Sequence, residues 1–219
     1  MNSHTLLDAL ELHKSGKIAE AETIYAALLA VDSSDLDTLN LGGLALHALG
    51  QREAAAARFS RALELAPDFA DAHANLGSVH RVEGRLEAAA DCFARALALE
   101  PANGLAANNL GLVRLDQGRT LEAIGLLAQA RTLMPGQPDI VINLSIAYMR
   151  YGDFAQALGM LDMLAEAAPK DKRAHFGRGA ALASLGRFAE ARAALDRAIA
   201  LDPDYKAAHD KRAALDGQA

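Results

Sequence analysis

Residues 37–67, DTLNLGGLALHALGQREAAAARFSRALELAP, contain the pattern that decides the fold. Small and apolar residues recur at helical spacing from Asp37 to Leu49. Gly50 follows, and a residue without a Cβ can end a helix in the left-handed conformation. A second run with the same spacing, from about Glu53 to Leu65, stops at Pro67, which cannot continue a helix. The stretch therefore predicts two short helices joined by a tight turn.

The same two-helix pattern recurs every 34 residues along the chain. Three residue types mark it: glycines at 16, 50, 84, 118, 152 and 186, alanines at 21, 55, 89, 123, 157 and 191, and prolines at 67, 101, 135, 169 and 203. We therefore predict one all-α solenoid domain over 1–219, with a C-terminal capping helix at 206–216. Its six repeats are 2–35, 36–69, 70–103, 104–137, 138–171 and 172–205. Positions are counted from the first residue of each repeat.

The composition excludes several classes of function. Aromatic residues make up only 5% of the 219, and the excess of alanine favours helices over sheets. The formal net charge of −6 disfavours binding to nucleic acid or to an anionic membrane surface. No apolar run has membrane-spanning length, and the N-terminus does not resemble a secretion signal. With a single cysteine, Cys92, we expect no intrachain disulfide and a cytoplasmic location.

One segment, NLGSVHRVEGRLEAAADCFARALALEP, resembles the tetratricopeptide repeat, a helix–turn–helix unit of about 34 residues. The resemblance covers essentially the whole chain. It is weakest at position 4, where the usual Trp or Tyr of the family is replaced by Leu39, His73, Ala107, Val141 and His175. The resemblance implies a right-handed superhelix whose first helices line a concave groove. It also implies a non-catalytic interaction module that captures a segment of another protein in that groove.

The helix period indicates which residues would line the groove. At about 100° per residue, positions 2, 6, 9 and 13 of each first helix lie opposite the buried stripe. Asn75, Asn109 and Asn143 share position 6 in three successive repeats. An asparagine amide can pair with both the C=O and the N–H of an extended peptide, so we predict an asparagine ladder that binds a partner. The alternative is that duplication copied a solvent-exposed asparagine without a role.

Apolar residues also occur on this side of the first helices, where an ordinary surface helix is polar. We expect four of them to contact apolar side chains of a partner: Leu41, Leu44, Leu112 and Ile146. The alternative, which does not exclude the first, is that superhelical curvature packs these residues against adjacent first helices.

Basic residues at the groove positions are few. Arg150 is a candidate partner-binding residue, but Lys14 and Arg173 lie in distant repeats and acidic residues stand between them. Chaperone-binding members of the family use several clustered Lys and Arg residues to hold a carboxylate. We therefore expect binding of a polypeptide through backbone and apolar contacts rather than capture of a chaperone C-terminal tail.

Two other functions stay open. The asparagine ladder and the segment LHKSGKIAEAETIYAALLAVD resemble the repeat arm of O-linked N-acetylglucosamine transferases, which holds extended polypeptide. The chain would then be the substrate-recruiting arm of a bacterial O-linked glycosyltransferase that modifies flagellin or other surface proteins. Its catalytic domain would follow Ala219 or act in trans. The third possibility is a structural scaffold that self-associates through its ends and grooves.

We find no pattern that predicts catalysis within the chain. His13 and His47 share position 12 in adjacent repeats, yet no cysteine or carboxylate completes a zinc-like set beside them. Four other histidines occupy packing positions: His73, His80, His175 and His209. No glycine-rich phosphate loop occurs, and Cys92 is expected to be a buried thiol. We expect no catalytic residue, cofactor or metal, and a protein or peptide as partner.

Overall fold

The computed structural model describes residues 5–216, and this part of the chain contains thirteen helices and no strand. In order they are α1 (Leu6–Lys14), α2 (Ile18–Val31), α3 (Leu36–Ala48), α4 (Arg52–Leu65), α5 (Ala70–Val82), α6 (Leu86–Leu99), α7 (Gly104–Asp116), α8 (Thr120–Leu133), α9 (Pro138–Tyr151), α10 (Phe154–Ala167), α11 (Lys172–Ser184), α12 (Phe188–Leu201) and α13 (Lys206–Ala213). Each predicted repeat holds two of them. The predicted all-α solenoid class is confirmed.

The chain divides into two compact units, Met1–Val113 and Arg114–Ala219, and the boundary lies inside α7. In the first unit α1 packs on α2, α3 on α4 and α5 on α6. In the second unit α9 packs on α10 and α11 on α12. The two helices of a repeat are therefore partners in space as well as neighbours in sequence.

Glycine ends the first helix of a repeat, as the sequence predicts. Gly50 has a φ of 77°, in the left-handed region that favours glycine. Its N–H donates to the carbonyl of His47 at 3.0 Å, and the N–H of Gln51 donates to that of Leu46 at 2.9 Å. This pair of bonds is the Schellman motif, which satisfies the last carbonyls of α3 and turns the chain towards α4.

Small residues let the two helices of a repeat approach closely. A Cβ added at Gly77 on α5 would lie 3.1 Å from the ring of Phe93 on α6. At the same repeat position, a Cβ added at Gly179 would lie 2.6 Å from Cγ of Leu195. The six alanines at position 20 are fully buried: Ala21, Ala55, Ala89, Ala123, Ala157 and Ala191. A larger side chain at either position would push the helices apart.

The C-terminal capping helix α13 packs on α12 but ends at Ala213, three residues before the predicted end at 216. The next residues form a turn, which places Leu215 in the core of the second unit with 4% exposure. Arg192 on α12 donates to the carbonyl oxygen of Leu215 at 3.1 Å. The helix is shorter because an apolar residue and a carbonyl both turn back towards α12.

An ion pair joins the second helices of the first two repeats. Arg58 on α4 donates to both carboxylate oxygens of Glu22 on α2, at 2.8 and 2.6 Å. The two side chains are only 17% and 16% exposed, so the bidentate pair is partly shielded from water. The guanidinium passes Gly42 on α3, where an added Cβ would collide with Nη1 of Arg58. A side chain at this position would therefore require the Arg58 guanidinium to shift.

Candidate binding surface

The eight predicted site residues all lie on first helices, five in the first unit and three in the second. Leu41 and Leu44 are on α3, Asn75 on α5, Asn109 and Leu112 on α7, and Asn143, Ile146 and Arg150 on α9. Arg150 is exposed and the other seven are half-buried. That these eight residues form one continuous row along a groove is a prediction from the sequence.

The best-defined polar contact at this surface joins two asparagines of the first unit. Nδ2 of Asn75 donates to Oδ1 of Asn40 at 2.8 Å. Asn40 lies on α3 at position 5 and is 8% exposed, so its oxygen depends on this bond. The bond fixes the plane of the Asn75 amide and leaves its oxygen and second N–H for another partner. Asn40 was not among the predicted residues, although it stands one repeat and one residue before Asn75.

The two predicted leucines of α3 also contribute to the core. Leu41 packs against the cluster that contains Ala9 and Tyr25. Leu44 packs against the cluster that contains Phe59 and Val79. Both residues therefore contribute to packing within the first unit, and only part of each side chain is available to a partner.

Other apolar residues at the predicted groove positions are much more exposed. Leu7, Val82 and Leu105 lie on α1, α5 and α7 of the first unit and are 71%, 52% and 61% exposed. They occupy positions 6, 13 and 2 of their repeats, all of which the helix period places opposite the buried stripe. Sequence position alone identified their side of the helix, but their exposure depends on neighbouring helices.

Two basic residues at the predicted groove positions of the second unit, Arg150 and Arg173, are engaged with groups of the chain itself. Nη1 of Arg150 donates to the carbonyl oxygen of Leu115, near the C-terminal end of α7, at 2.9 Å. A cation there interacts favourably with the helix dipole. Arg173 pairs with Asp171 at 2.9 Å and with Asp139 at 2.5 Å, and these bonds raise the pKa of its guanidinium. The same pair lowers the pKa of Asp171.

Two acidic side chains on the first unit have no such partner. Asp37 and Asp71 stand at position 2 of α3 and α5, and both are exposed. Neither carboxylate makes a hydrogen bond or an ion pair to another residue within 5–216. The first unit therefore presents two unpaired carboxylates at the predicted groove positions.

Two histidines form hydrogen bonds with loop carbonyls, and His80 and Cys92 are partly buried. Nε2 of His73 and of His175 each lie 3.0 Å from the carbonyl oxygen of a proline six residues earlier. Burial lowers the pKa of His80 and raises the pKa of the Cys92 thiol. Among residues 5–216, no group of three or more His, Cys, Asp or Glu is arranged to hold a metal ion. No helix in that range is long and apolar enough to cross a bilayer.

Sequence models of one family match most of the chain. Models described as "Tetratricopeptide repeat" match residues 83–138, 114–185 and 172–205, and a model described as "TPR repeat" matches residues 43–82. Together they extend over residues 43–205. No curated protein matches the chain.

Solved structures share the fold at low sequence identity. The chain is similar to YrrB, described as a TPR protein with an unusual peptide-binding site, with a TM-score of 0.72, 24% identity, and coverage of 86% of this chain and 97% of that one. It is similar to pilF of Pseudomonas aeruginosa with a TM-score of 0.82, 18% identity and 95% coverage of both chains. It is also similar to MamA, with a TM-score of 0.63, 22% identity, and coverage of 83% and 96%.

Proposed function

The chain belongs to the tetratricopeptide repeat family, whose members are protein-interaction modules, and we propose that it binds an extended segment of a partner protein along its first helices. The observation that carries the proposal is the exposure of Leu7, Val82 and Leu105 on three first helices of one unit. Large apolar side chains exposed at the predicted groove positions of three first helices favour contact with another protein.

Polar contacts would orient the bound segment. The Asn75 amide is held by Asn40 and still offers an acceptor and a donor. A peptide backbone can use both, and each such bond contributes about 1 kcal/mol. Asn109 on α7 would repeat this contact in the same unit. No covalent bond forms or breaks in this mechanism.

Charge indicates the chemistry of the partner. Asp37 and Asp71 are exposed on the unit that carries Leu7, Val82 and Leu105, and their carboxylates have no counter-charge from residues 5–216. A segment that carries Lys or Arg between apolar side chains would complement this surface. The basic residues Arg150 and Arg173 of the second unit are already engaged by a helix C-terminus and by carboxylates. Capture of an acidic tail is therefore not proposed.

The proposal can be tested by crosslinking and substitution. A photo-crosslinking amino acid at Ala48, an exposed position at the end of α3, would label the partner for identification by mass spectrometry. A peptide from the crosslinked segment then provides a dissociation constant. We expect Leu105→Asp to weaken binding about tenfold or more, because it removes apolar contact and adds a charge.

Val31→Asp is the matched control, since Val31 is 90% exposed but lies on the second helix α2. Its affinity should equal that of the wild type. Equal weakening by both variants, or by neither, would contradict binding along the first helices. Circular dichroism of each variant confirms that the helices are intact.

A second candidate is the recruiting arm of a bacterial O-linked glycosyltransferase. Asn75 supports it, because its amide stands at the predicted ladder position and is held in one orientation. The gene sequence beyond the codon for Ala219 tests this candidate. A glycosyltransferase domain in the same reading frame would support the arm, and a stop codon with no transferase among the crosslinked partners would exclude it.

A further inference from the structure

Three loops between repeats are held by the same bond. Nε2 of His73, His175 and His209 lies 3.0, 3.0 and 2.8 Å from the carbonyl oxygen of Pro67, Pro169 and Pro203 respectively. His73 and His175 stand at position 4 of their repeats and His209 at the equivalent position of the capping helix, and each proline stands six residues earlier. The imidazole thereby occupies the space between the loop and the helix.

Repeat 5 lacks the histidine that bonds to the proline carbonyl, and it differs from repeats 3 and 6 at two further positions. At positions 4, 26 and 30, repeat 3 has His73, Arg95 and Leu99, and repeat 6 has His175, Arg197 and Leu201. Repeat 5 has Val141, Met163 and Ala167. Valine cannot donate to the carbonyl of Pro135, alanine is smaller than leucine, and methionine replaces a charge by a flexible apolar chain.

These three residues line a cavity of about 520 Å³ in the second unit. Its wall is formed by the end of α8, the loop at Pro135, the start of α9 and the C-terminal half of α10. Met160 and Leu164 complete the apolar lining, and Met163 is 72% exposed at the opening. Small-molecule sites typically have volumes of about 300–1,000 Å³ and mostly apolar walls.

One charged residue lines the cavity. Arg131 stands at position 28, where the other repeats have Leu29, Leu63, Leu97, Ala165 and Ile199. The Arg131 side chain is exposed and makes no hydrogen bond or ion pair with any residue in 5–216. A guanidinium beside an apolar cavity, at a position that is otherwise apolar, favours an anionic group on the ligand.

We propose that this cavity binds a small carboxylic acid with an apolar body, held by its carboxylate on Arg131. The planar guanidinium can donate two parallel bonds to a carboxylate. The flexible side chains of Met160 and Met163 adapt to the shape of the apolar body. The site lies on the loop side of α9 and α10, so it is independent of the binding of a protein segment proposed above.

Methionine methyl signals provide the test. The chain has five methionines, so a sample labelled with ¹³C at the methionine methyl groups gives few signals. We expect 4-phenylbutyrate to shift the Met160 and Met163 signals in a saturable way, with a dissociation constant at or below about 1 mM. Met149, near the far end of α9, serves as the internal reference. The neutral analogue 4-phenylbutanamide should bind about tenfold more weakly, because it cannot form the charged pair.

Two variants separate the charge from the cavity. Arg131→Leu restores the residue type of other repeats, and it should remove the difference between acid and amide. Its matched control is Arg197→Leu, at an exposed arginine of α12, which should keep that difference. The double variant Val141→His, Ala167→Leu restores the residues of repeats 3 and 6, and it should abolish saturable shifts from both compounds. Thermal unfolding confirms that each variant is folded.

Three results would overturn the proposal. The first is the absence of saturable shifts at Met160 and Met163 in the wild type. The second is equal affinity for acid and amide in the wild type, which would show that Arg131 does not bind the carboxylate. The third is binding of acetyl-glycyl-glycyl-phenylalanine without binding of 4-phenylbutyrate, which would assign the cavity to a polypeptide terminus. Loss of partner capture by Leu105→Asp has no bearing on these results.

Discussion

The first two helix pairs, α1–α2 and α3–α4, fill the interface between their two helices with different side chains. In α1–α2, position 8 is Ala9 and position 24 is Tyr25, and both are fully buried in one cluster. The hydroxyl of Tyr25 lies 3.4 Å from Nδ1 of His13, at position 12. A methyl group and a weak polar contact therefore fill this interface.

In α3–α4 the same three positions hold Gly43, Phe59 and His47. A Cβ added at Gly43 would lie 2.5 Å from Cε1 of Phe59, so the ring occupies the space that a methyl group would take. Nδ1 of His47 is buried and has no hydrogen-bond partner in the structure. One pair thus keeps a methyl group and a polar contact, whereas the other gains closer packing and leaves a nitrogen unsatisfied.

The largest expected effect comes from restoring the methyl group in the second pair. Gly43→Ala gains about 0.5–1 kcal/mol from helix propensity. It also forces the buried Phe59 ring to move, at a cost of about 1–3 kcal/mol. We expect a net loss of about 1–2 kcal/mol in the free energy of unfolding, measured by urea denaturation.

Gly125→Ala on α8 is the control, because no atom lies within 4 Å of an added Cβ there. This variant should be more stable than the wild type by about 0.5–1 kcal/mol. If Gly43→Ala also gains stability, the ring does not depend on glycine and the contrast between the two pairs disappears.

A smaller effect is expected from removing the hydroxyl of the first pair. Tyr25→Phe loses the contact with His13, and because the contact is long we expect a loss of about 0.5–1 kcal/mol at pH 7. Unchanged stability at pH 7 would show that the hydroxyl contributes nothing to this interface.

The same variant has a pH signature. Burial, with a smaller contribution from Glu22, raises the pKa of Tyr25 above its usual value. The folded state therefore keeps the phenol proton at pH values where the unfolded state releases it, so stability falls as the pH rises above about 10. The wild type should lose stability more steeply than Tyr25→Phe in that range, as measured by urea denaturation at stepwise higher pH.

The smallest effect is expected from adding the hydroxyl to the second pair. Phe59→Tyr copies the first pair, in which the tyrosine hydroxyl contacts the histidine at position 12; the histidine at that position in the second pair is His47, whose Nδ1 has no partner. We expect a gain of about 0.5 kcal/mol, because a buried nitrogen acquires a hydrogen bond. The ¹⁵N chemical shift of His47 Nδ1 reports the bond directly. A loss of stability would show that the closer ring leaves no room for the oxygen.

The sequence was sufficient for the helices because their ends depend on local chemistry. Gly50 ends α3 through bonds within six residues of chain, and proline follows the second helices for a reason equally local. The closely packed interface was also predictable, since Ala55 recurs as alanine in every repeat. These features need no knowledge of the neighbouring repeat.

The surface was harder to predict because it depends on that neighbour. The period of a single helix placed Leu41 and Leu105 on the same side, but neighbouring residues half-cover the first and leave the second 61% exposed. The contacts of Asn75 with Asn40 and of Arg150 with Leu115 were not predicted for the same reason, because each partner lies in the preceding repeat. Their separations do carry a signal: Asn40 and Asn75 are 35 residues apart, as are the carbonyl of Leu115 and Arg150. In a repeat of 34 residues, polar pairs separated by 34–36 residues are candidates for contacts between neighbours.

The Arg58–Glu22 ion pair shows what a shortened array would lose and keep. Repeat proteins are often engineered as sets of units that can be removed one at a time, since each unit contacts only its neighbours. Removal of residues 1–35 would take away Glu22 together with the α2 surface that it stands on, so the Arg58 guanidinium would be exposed to water rather than buried without a counter-charge. A shortened protein that begins at repeat 2 loses the ion pair, but Arg58 then supplies part of the polar outer face that a terminal repeat requires.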